Sequence, residues 1–94
     1  MPRQRITLLQ LAAAVKLLNR ITGSPEMPYR KEGDRHAPNI GNYHLSRAYG
    51  GFALHQMAND NGGIRDVLNS GHVSARQLFD MMSAYRYGME SATR

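Results

Sequence analysis

Two pairs of adjacent glycines divide the middle of this chain, and they limit its fold more than any other feature. Short segments that alternate apolar and polar residues run over 43–48, 52–58 and 64–68, and the glycine pairs lie in the two breaks between them. Such alternation is typical of β-strands, and adjacent glycines favour tight hairpin turns. Residues 43–68 therefore predict a three-stranded antiparallel meander.

The same alternation predicts which side chains share a face of the meander. With a turn at Tyr49-Gly50-Gly51, one face carries Tyr43, Leu45, Phe52 and Leu54, and we expect it to form the core. The opposite face carries a more polar set: His44, Ser46, Ala53, His55 and Met57.

Amphipathic helices flank the meander. Thr7 with Gln10 forms a capping-box pattern before a predicted helix over 8–21. One side of this helix is apolar and consists of Leu11, Ala14, Val15, Leu17, Leu18 and Ile21. The other side carries Lys16, Asn19 and Arg20. Ser74 with Gln77 repeats the pattern before a helix over 75–89, whose stripe is Leu78, Met81, Met82, Tyr85 and Met89. The order α-β-β-β-α predicts a single α+β domain over residues 1–94, with both helices on one face of the sheet.

The connection over 23–42 has a different composition. It contains three prolines, three glycines and dense charge, which predicts a loop without regular structure. A connection this long in a small domain is usually mobile or functional. The alternative is a surface excursion held down by Met27, Tyr29 and Ile40.

Composition excludes several classes of protein. The chain of 94 residues has no cysteine, which excludes a disulfide scaffold and thiolate metal sites. No run of apolar residues is long enough to span a membrane. The apolar run near the N-terminus is interrupted by Lys16 and Arg20 and lacks a cleavage site typical of a signal peptide, so we expect a cytoplasmic protein.

Catalytic and metal-binding patterns are weak. No phosphate-binding loop, serine elbow or placed pair of carboxylates is present, which favours a non-enzymatic protein without a cofactor. His44, His55 and Asp66 fall one per predicted strand, and two histidines with a carboxylate can bind a metal. Their spacing matches no known ligand motif, however, so a solvated sheet face is the favoured interpretation, with no metal bound.

Basic residues suggest one kind of partner. Twelve basic residues against seven acidic ones give a net charge of +5, which suits nucleic acid or an acidic protein. Arg47, Arg65, Arg76 and Arg86 are candidates for contacts with phosphates, and the element order resembles that of double-stranded-RNA-binding domains. Those domains open their second helix with lysines, whereas this one opens with Ser74. The competing interpretation is surface arginines without a common target.

Aromatic and glycine residues suggest another kind of partner. Tyr49, Gly50, Gly51 and Tyr87 are candidates for a protein-binding surface, because tyrosine and arginine are common in binding hot spots. The simpler alternative for Gly50 and Gly51 is that a tight hairpin requires glycine. A homodimer through a sheet edge or through the methionine-rich second helix is a further hypothesis.

A family resemblance covers about half the chain, over residues 39–88. The motifs are NIGNYH at 39–44, AYGG at 48–51, QMANDNGG at 56–63 and an RxL at 76–78. This pattern resembles small uncharacterised proteins encoded by phages and prophages. The resemblance implies an accessory protein that acts in the bacterial host cell on a host or defence protein or a ribonucleoprotein, for instance as an inhibitor of antiviral defence. Direct nucleic-acid binding through the arginines is the alternative.

Overall fold

The computed structural model describes residues 5–92 and contains two helices and five strands. In chain order these are α1 (Leu8–Thr22), β1 (Tyr29–Glu32), β2 (Arg35–Pro38), β3 (Tyr43–Ala48), β4 (Gly51–Met57), β5 (Ile64–Asp66) and α2 (Ala75–Ala92). The strands form an antiparallel pair, β1-β2, and a separate antiparallel sheet of order β3-β4-β5. The expected α+β class is confirmed, but the expected three-stranded sheet accounts for only part of the strands.

The helices begin where the sequence predicts, because both capping boxes form. At α1 the Gln10 N–H donates to Thr7 Oγ1 over 3.2 Å, and the Thr7 N–H donates to Gln10 Oε1 over 2.7 Å. At α2 the Gln77 N–H donates to Ser74 Oγ over 3.2 Å. Each cap satisfies backbone donors that the first helical turn leaves without partners. None of the helices in residues 5–92 is long and apolar enough to cross a membrane.

The main core lies between the two helices and one face of the three-stranded sheet. Tyr43 and Leu54 contribute from the sheet, and Leu45 and Phe52 pack against them, so the predicted apolar face is confirmed. The buried cluster is Ile6, Leu11, Val15, Leu18, Tyr43, Leu54, Leu78 and Met82. Ala53 and Met57, on the opposite face, are also buried, so that second face is not uniformly solvated.

The prediction that 23–42 lacks regular structure was wrong, because a β-hairpin forms there. Gly33, with a φ of +60°, opens the turn between Glu32 and Arg35. Glycine at the first central position is typical of type II′ hairpin turns. Pro28 precedes β1 and Pro38 ends β2, where a missing N–H does not break the pairing.

Three predicted strand limits also differ from the structure, and one of them is the end of the second strand, which lies at Met57 rather than at 58. The turn residues are Tyr49 and Gly50, so Gly51 already belongs to β4. The third strand ends at Asp66 rather than at 68, because the Asn69 N–H donates to the Asp66 carbonyl over 3.1 Å and closes a turn there. Val67 and Leu68, inside this turn, pack against the core.

Asn19 is the clearest departure within α1. It was expected on the polar side, yet its side chain is 2% exposed. Its Nδ2 donates to the Tyr43 carbonyl over 2.9 Å, and the Tyr43 N–H donates to its Oδ1 over 2.8 Å. The polar side chain is buried because it pairs with backbone groups of β3 that point away from the sheet.

Candidate binding surface

The β3–β4 turn holds a tyrosine in an unfavourable backbone conformation. Tyr49 has a φ of +53° and Gly50 a φ of +73°, between the paired residues Ala48 and Gly51. Positive φ at both central positions defines a type I′ turn, for which Asn-Gly is preferred. A bulky residue at the first position is an outlier. The Tyr49 side chain is 97% exposed, so its own burial does not compensate for that conformation.

Gly51 allows a close approach of the turn to the chain before α2. A Cβ at this position would lie 3.0 Å from the His72 carbonyl carbon and 3.0 Å from the Val73 oxygen. Phe52 and Val73 exchange two backbone hydrogen bonds of 2.8 Å each. Gly51, which the sequence predicted as a protein-binding residue, is itself buried. Its role at this surface is to let the loop that carries His72 come close to Tyr49.

His72 connects the turn with the middle of β3. Its ring lies edge-on to the Tyr49 ring, with 5.8 Å between centroids. Its Nε2 is 3.0 Å from Ser46 Oγ, a hydrogen bond between β3 and the loop that precedes α2. The exposed tyrosine therefore stands against a fixed imidazole.

Three histidines form a row across this side of the sheet. His44 and His55 are cross-strand partners with ring centroids 5.9 Å apart, and His55 and His72 are also 5.9 Å apart. Asp66 pairs with His55 on the neighbouring strand. We call the surface formed by His44, Ser46, Tyr49, His55, Asp66 and His72 the histidine face.

Asp66 is only partly satisfied in this surface. Its Oδ2 accepts the Gly71 N–H over 2.9 Å, whereas its Oδ1 is buried and has no hydrogen-bond partner among the described residues. Buried polar atoms without a partner are rare in folded proteins. A hydrogen-bond donor of a partner that reached Oδ1 would therefore pair with an acceptor that is already removed from water.

Burial favours the neutral form of the two central histidines by lowering their pKa values. Desolvation, and then the nearby His55, lower the pKa of His44. Desolvation also lowers the pKa of His55. The nearby Asp66 carboxylate raises this pKa, and His72 lowers it. At His44 and His55 the neutral imidazole is therefore favoured, so these two rings offer hydrogen-bonding and aromatic groups rather than positive charge.

The three residues of the metal alternative, His44, His55 and Asp66, were weighed from sequence against a solvated sheet face without a metal. The fold does bring His44, His55 and Asp66 onto one face. Across residues 5–92, however, no group of three or more histidine or acidic side chains is arranged to hold a metal ion. One carboxylate oxygen of Asp66 is instead engaged by the Gly71 backbone.

The four candidate arginines are distributed rather than gathered. Arg47 lies on β3 with its guanidinium 5.6 Å from the Phe52 ring centroid, and Arg65 on β5 donates to Gln56 Oε1 over 2.6 Å. Because β4 separates β3 from β5, these two arginines lie at opposite edges of the sheet. On α2, Arg76 lies 3.7 Å from an Asp80 oxygen and Arg86 lies 3.1 Å from a Glu90 oxygen.

Tyr87 is exposed and lies on α2. Its side chain is 72% exposed. It lies twelve residues after Ala75, the first residue of α2, or about 18 Å along the axis of an α-helix. The predicted pair Tyr49 and Tyr87 therefore lies on two different elements, the β3–β4 turn and α2.

Sequence reasoning missed His72 because it lies in a loop, where no periodicity predicts its neighbours. The signal that could have found it is the glycine at position 51, which permits a close backbone contact. No protein-family model matches this chain, and no curated protein or solved structure matches it.

Proposed function

We propose that this protein is a non-enzymatic binding module that contacts a protein partner through Tyr49 and the adjoining histidine face. One observation carries the proposal: a tyrosine with a 97% exposed side chain occupies a left-handed turn position that favours asparagine. Strained residues cluster at functional sites, and exposed tyrosine is a common hot-spot residue. Binding to a partner is the function that would retain this side chain.

The charge of the chain favours an acidic partner. The net charge is +5, which speeds association with an acidic surface and disfavours basic ones. Arg47, two residues before Tyr49, is exposed and lies on β3, the strand that leads into the turn. An acidic protein surface with a cleft for an aromatic ring would suit this arrangement.

The biological setting of the proposal comes from the resemblance of residues 39–88 to proteins of phages and prophages. On that basis the partner is a host or defence protein, or a ribonucleoprotein, in the bacterial cytoplasm. Inhibition of antiviral defence is the role we propose. Direct nucleic-acid binding through Arg47, Arg65, Arg76 and Arg86 is the alternative, and their spread over the fold makes it the weaker one.

Comparative capture from a bacterial lysate tests the proposal. Immobilised wild type, Tyr49→Ala and Tyr29→Ala are compared by quantitative mass spectrometry, with nuclease-treated lysate in parallel. Tyr29 is a matched control because it is an exposed tyrosine on another element. We expect a protein whose capture falls about tenfold or more with Tyr49→Ala only, as for a hot-spot residue. Equal capture by all three baits would contradict the proposal, and capture that disappears with nuclease would favour the alternative.

A further inference from the structure

The outer edge of β3 carries backbone groups that are open to another strand. In the sheet of order β3-β4-β5, only β4 lies beside β3. The two-residue turn makes Ala48 and Gly51 a hydrogen-bonded pair. Hydrogen-bonded pairs alternate along an antiparallel ladder, so Tyr43, Leu45 and Arg47 direct their N–H and C=O groups away from β4.

Asn19 closes one end of this edge and leaves the rest open. Its carboxamide binds both outward groups of Tyr43, as a neighbouring strand would. Within residues 5–92, no hydrogen bond reaches the outward backbone groups of Leu45 or Arg47. Two donors and two acceptors therefore remain available next to the Tyr49 turn.

A groove adjoins the open edge on the helix side. Its cavity of 340 Å³ lies between α1 and β3. The residues that line it are Ala12, Val15, Lys16, Asn19, Glu26, Met27, Tyr43, His44 and Leu45. Because side chains alternate along a strand, every second residue of an added strand would point into this groove. Four of the lining residues are apolar (Ala12, Val15, Met27 and Leu45), which suits a small apolar side chain.

We infer that the edge formed by Leu45 and Arg47 binds an extended segment of a partner protein as an added strand, with an apolar residue in the groove and acidic residues to either side. Of the charged residues here, Lys16 in the groove and Arg47 on the strand are basic, whereas Glu26 in the groove is acidic. The positive charges for those carboxylates therefore come from Lys16 and Arg47. Backbone pairing gives such a site affinity, and the pocket gives it specificity. The inference deepens the proposed function and rests on it.

A second copy of the chain is the competing occupant. Two copies would bring net charges of +5 together and would place Arg47 of each copy in the same interface. Charge complementarity therefore favours an acidic peptide over a homodimer. A homodimer through this edge would overturn the inference.

The probe is a capped seven-residue synthetic peptide with valine at its centre, glutamate two positions to either side and threonine elsewhere. Two control peptides have the same side chains but carry N-methyl groups on the backbone amides. In one peptide the methylated amides all point to one edge of the extended strand, and in the other they all point to the opposite edge. Binding to the full chain is followed by amide NMR shifts up to about 1 mM peptide. We expect slower hydrogen exchange at Leu45 and Arg47, and about tenfold weaker binding for only one of the two methylated peptides.

Two variants of Arg47 separate backbone pairing from charge. Arg47→Pro removes an N–H that β4 does not use, which an edge strand tolerates. Arg47→Gln keeps that N–H and removes the charge. We expect about tenfold weaker peptide binding for Arg47→Pro and about threefold for Arg47→Gln, with thermal unfolding confirming that both are folded.

Three results would overturn the inference. These are the absence of binding at the highest concentration, equal binding of both methylated peptides, and a dimeric mass in sedimentation with the Leu45 and Arg47 amides already protected. If these results occur while lysate capture still depends on Tyr49, the edge proposal fails and the proposed function stands. If the methylated peptides differ while capture ignores Tyr49, the proposed function fails and the edge site stands.

Discussion

The carboxamide of Asn19 hydrogen-bonds to both backbone groups of Tyr43, over 2.9 Å at the carbonyl and 2.8 Å at the N–H. This single side chain joins α1 to the edge of the three-stranded sheet. It also ends the run of open backbone groups on β3, which sets where another strand can bind.

Replacing Asn19 by leucine removes these two hydrogen bonds with little change of volume. We expect Asn19→Leu to lower the free energy of unfolding by about 2–4 kcal/mol, because two buried backbone groups of Tyr43 lose their partners. Urea unfolding measures the loss. Arg20→Leu, at the neighbouring exposed position, should change stability by less than about 0.5 kcal/mol. Equal effects of the two variants would contradict this role of Asn19.

Gly51 and Gly88 provide a matched pair of glycine substitutions with opposite expected signs. Gly51→Ala places a Cβ 3.0 Å from backbone atoms of His72 and Val73, and should cost about 1–3 kcal/mol of stability. Gly88→Ala lies in open space within α2 and should stabilise by about 0.5–1 kcal/mol through helix propensity. Thermal unfolding of both variants checks this, and stabilisation by Gly51→Ala would contradict the close approach of His72.

Acid should destabilise the fold through the histidine face. The pKa values of His44 and His55 are lowered in the folded state from the ordinary value of 6.5, so the unfolded chain binds more protons as pH falls below 6.5. Their contribution to stability is present above pH 6.5 and is lost as pH falls through their folded pKa values. At His55, the Asp66 carboxylate raises the pKa and so reduces this loss of stability, whereas His72 lowers the pKa and increases the loss.

The melting temperature as a function of pH tests that assignment. We expect the decrease between pH 7.5 and pH 5 to be smaller in the double variant His44→Gln, His55→Gln than in the wild type. His36→Gln, on the separate hairpin, serves as the control and should follow the wild-type curve. A double variant with the full wild-type decrease would show that other groups cause the acid sensitivity.

Nucleic-acid binding by the arginines has its own test. Because the four candidates are spread over two strands and α2, we expect weak binding to double-stranded RNA and DNA near physiological salt. The double variant Arg47→Ala, Arg65→Ala should then weaken nucleic-acid binding no more than the control double variant Arg20→Ala, Arg35→Ala. Both double variants remove two positive charges. Tight binding that falls steeply with salt, and that depends specifically on the first pair, would establish the alternative function.

The elements that the sequence predicted well depend on neighbouring residues. Both capping boxes are spaced within one helical turn, and the strand faces follow from simple alternation around the Tyr49-Gly50 turn. His44 and His55 were expected on one face for the same reason, and their ring contact agrees with it.

The features that the sequence missed depend on tertiary contacts or on competing local signals. Asn19 is polar and was assigned to solvent, although its burial is explained by backbone groups twenty-four residues away. The β1-β2 hairpin was hidden by prolines, which lie at its ends where they are tolerated. His72 joins the histidine face only because Gly51 lets the two backbones meet.

The free energy of unfolding of Tyr49→Asn tests the central claim most directly. If Tyr49 is retained for binding at the expense of turn stability, asparagine at this type I′ position should raise the free energy of unfolding by about 1 kcal/mol. The same variant should lose the partner that the wild type captures. A Tyr49→Asn protein that is less stable than the wild type would contradict the account, because the tyrosine would then serve the fold rather than a partner.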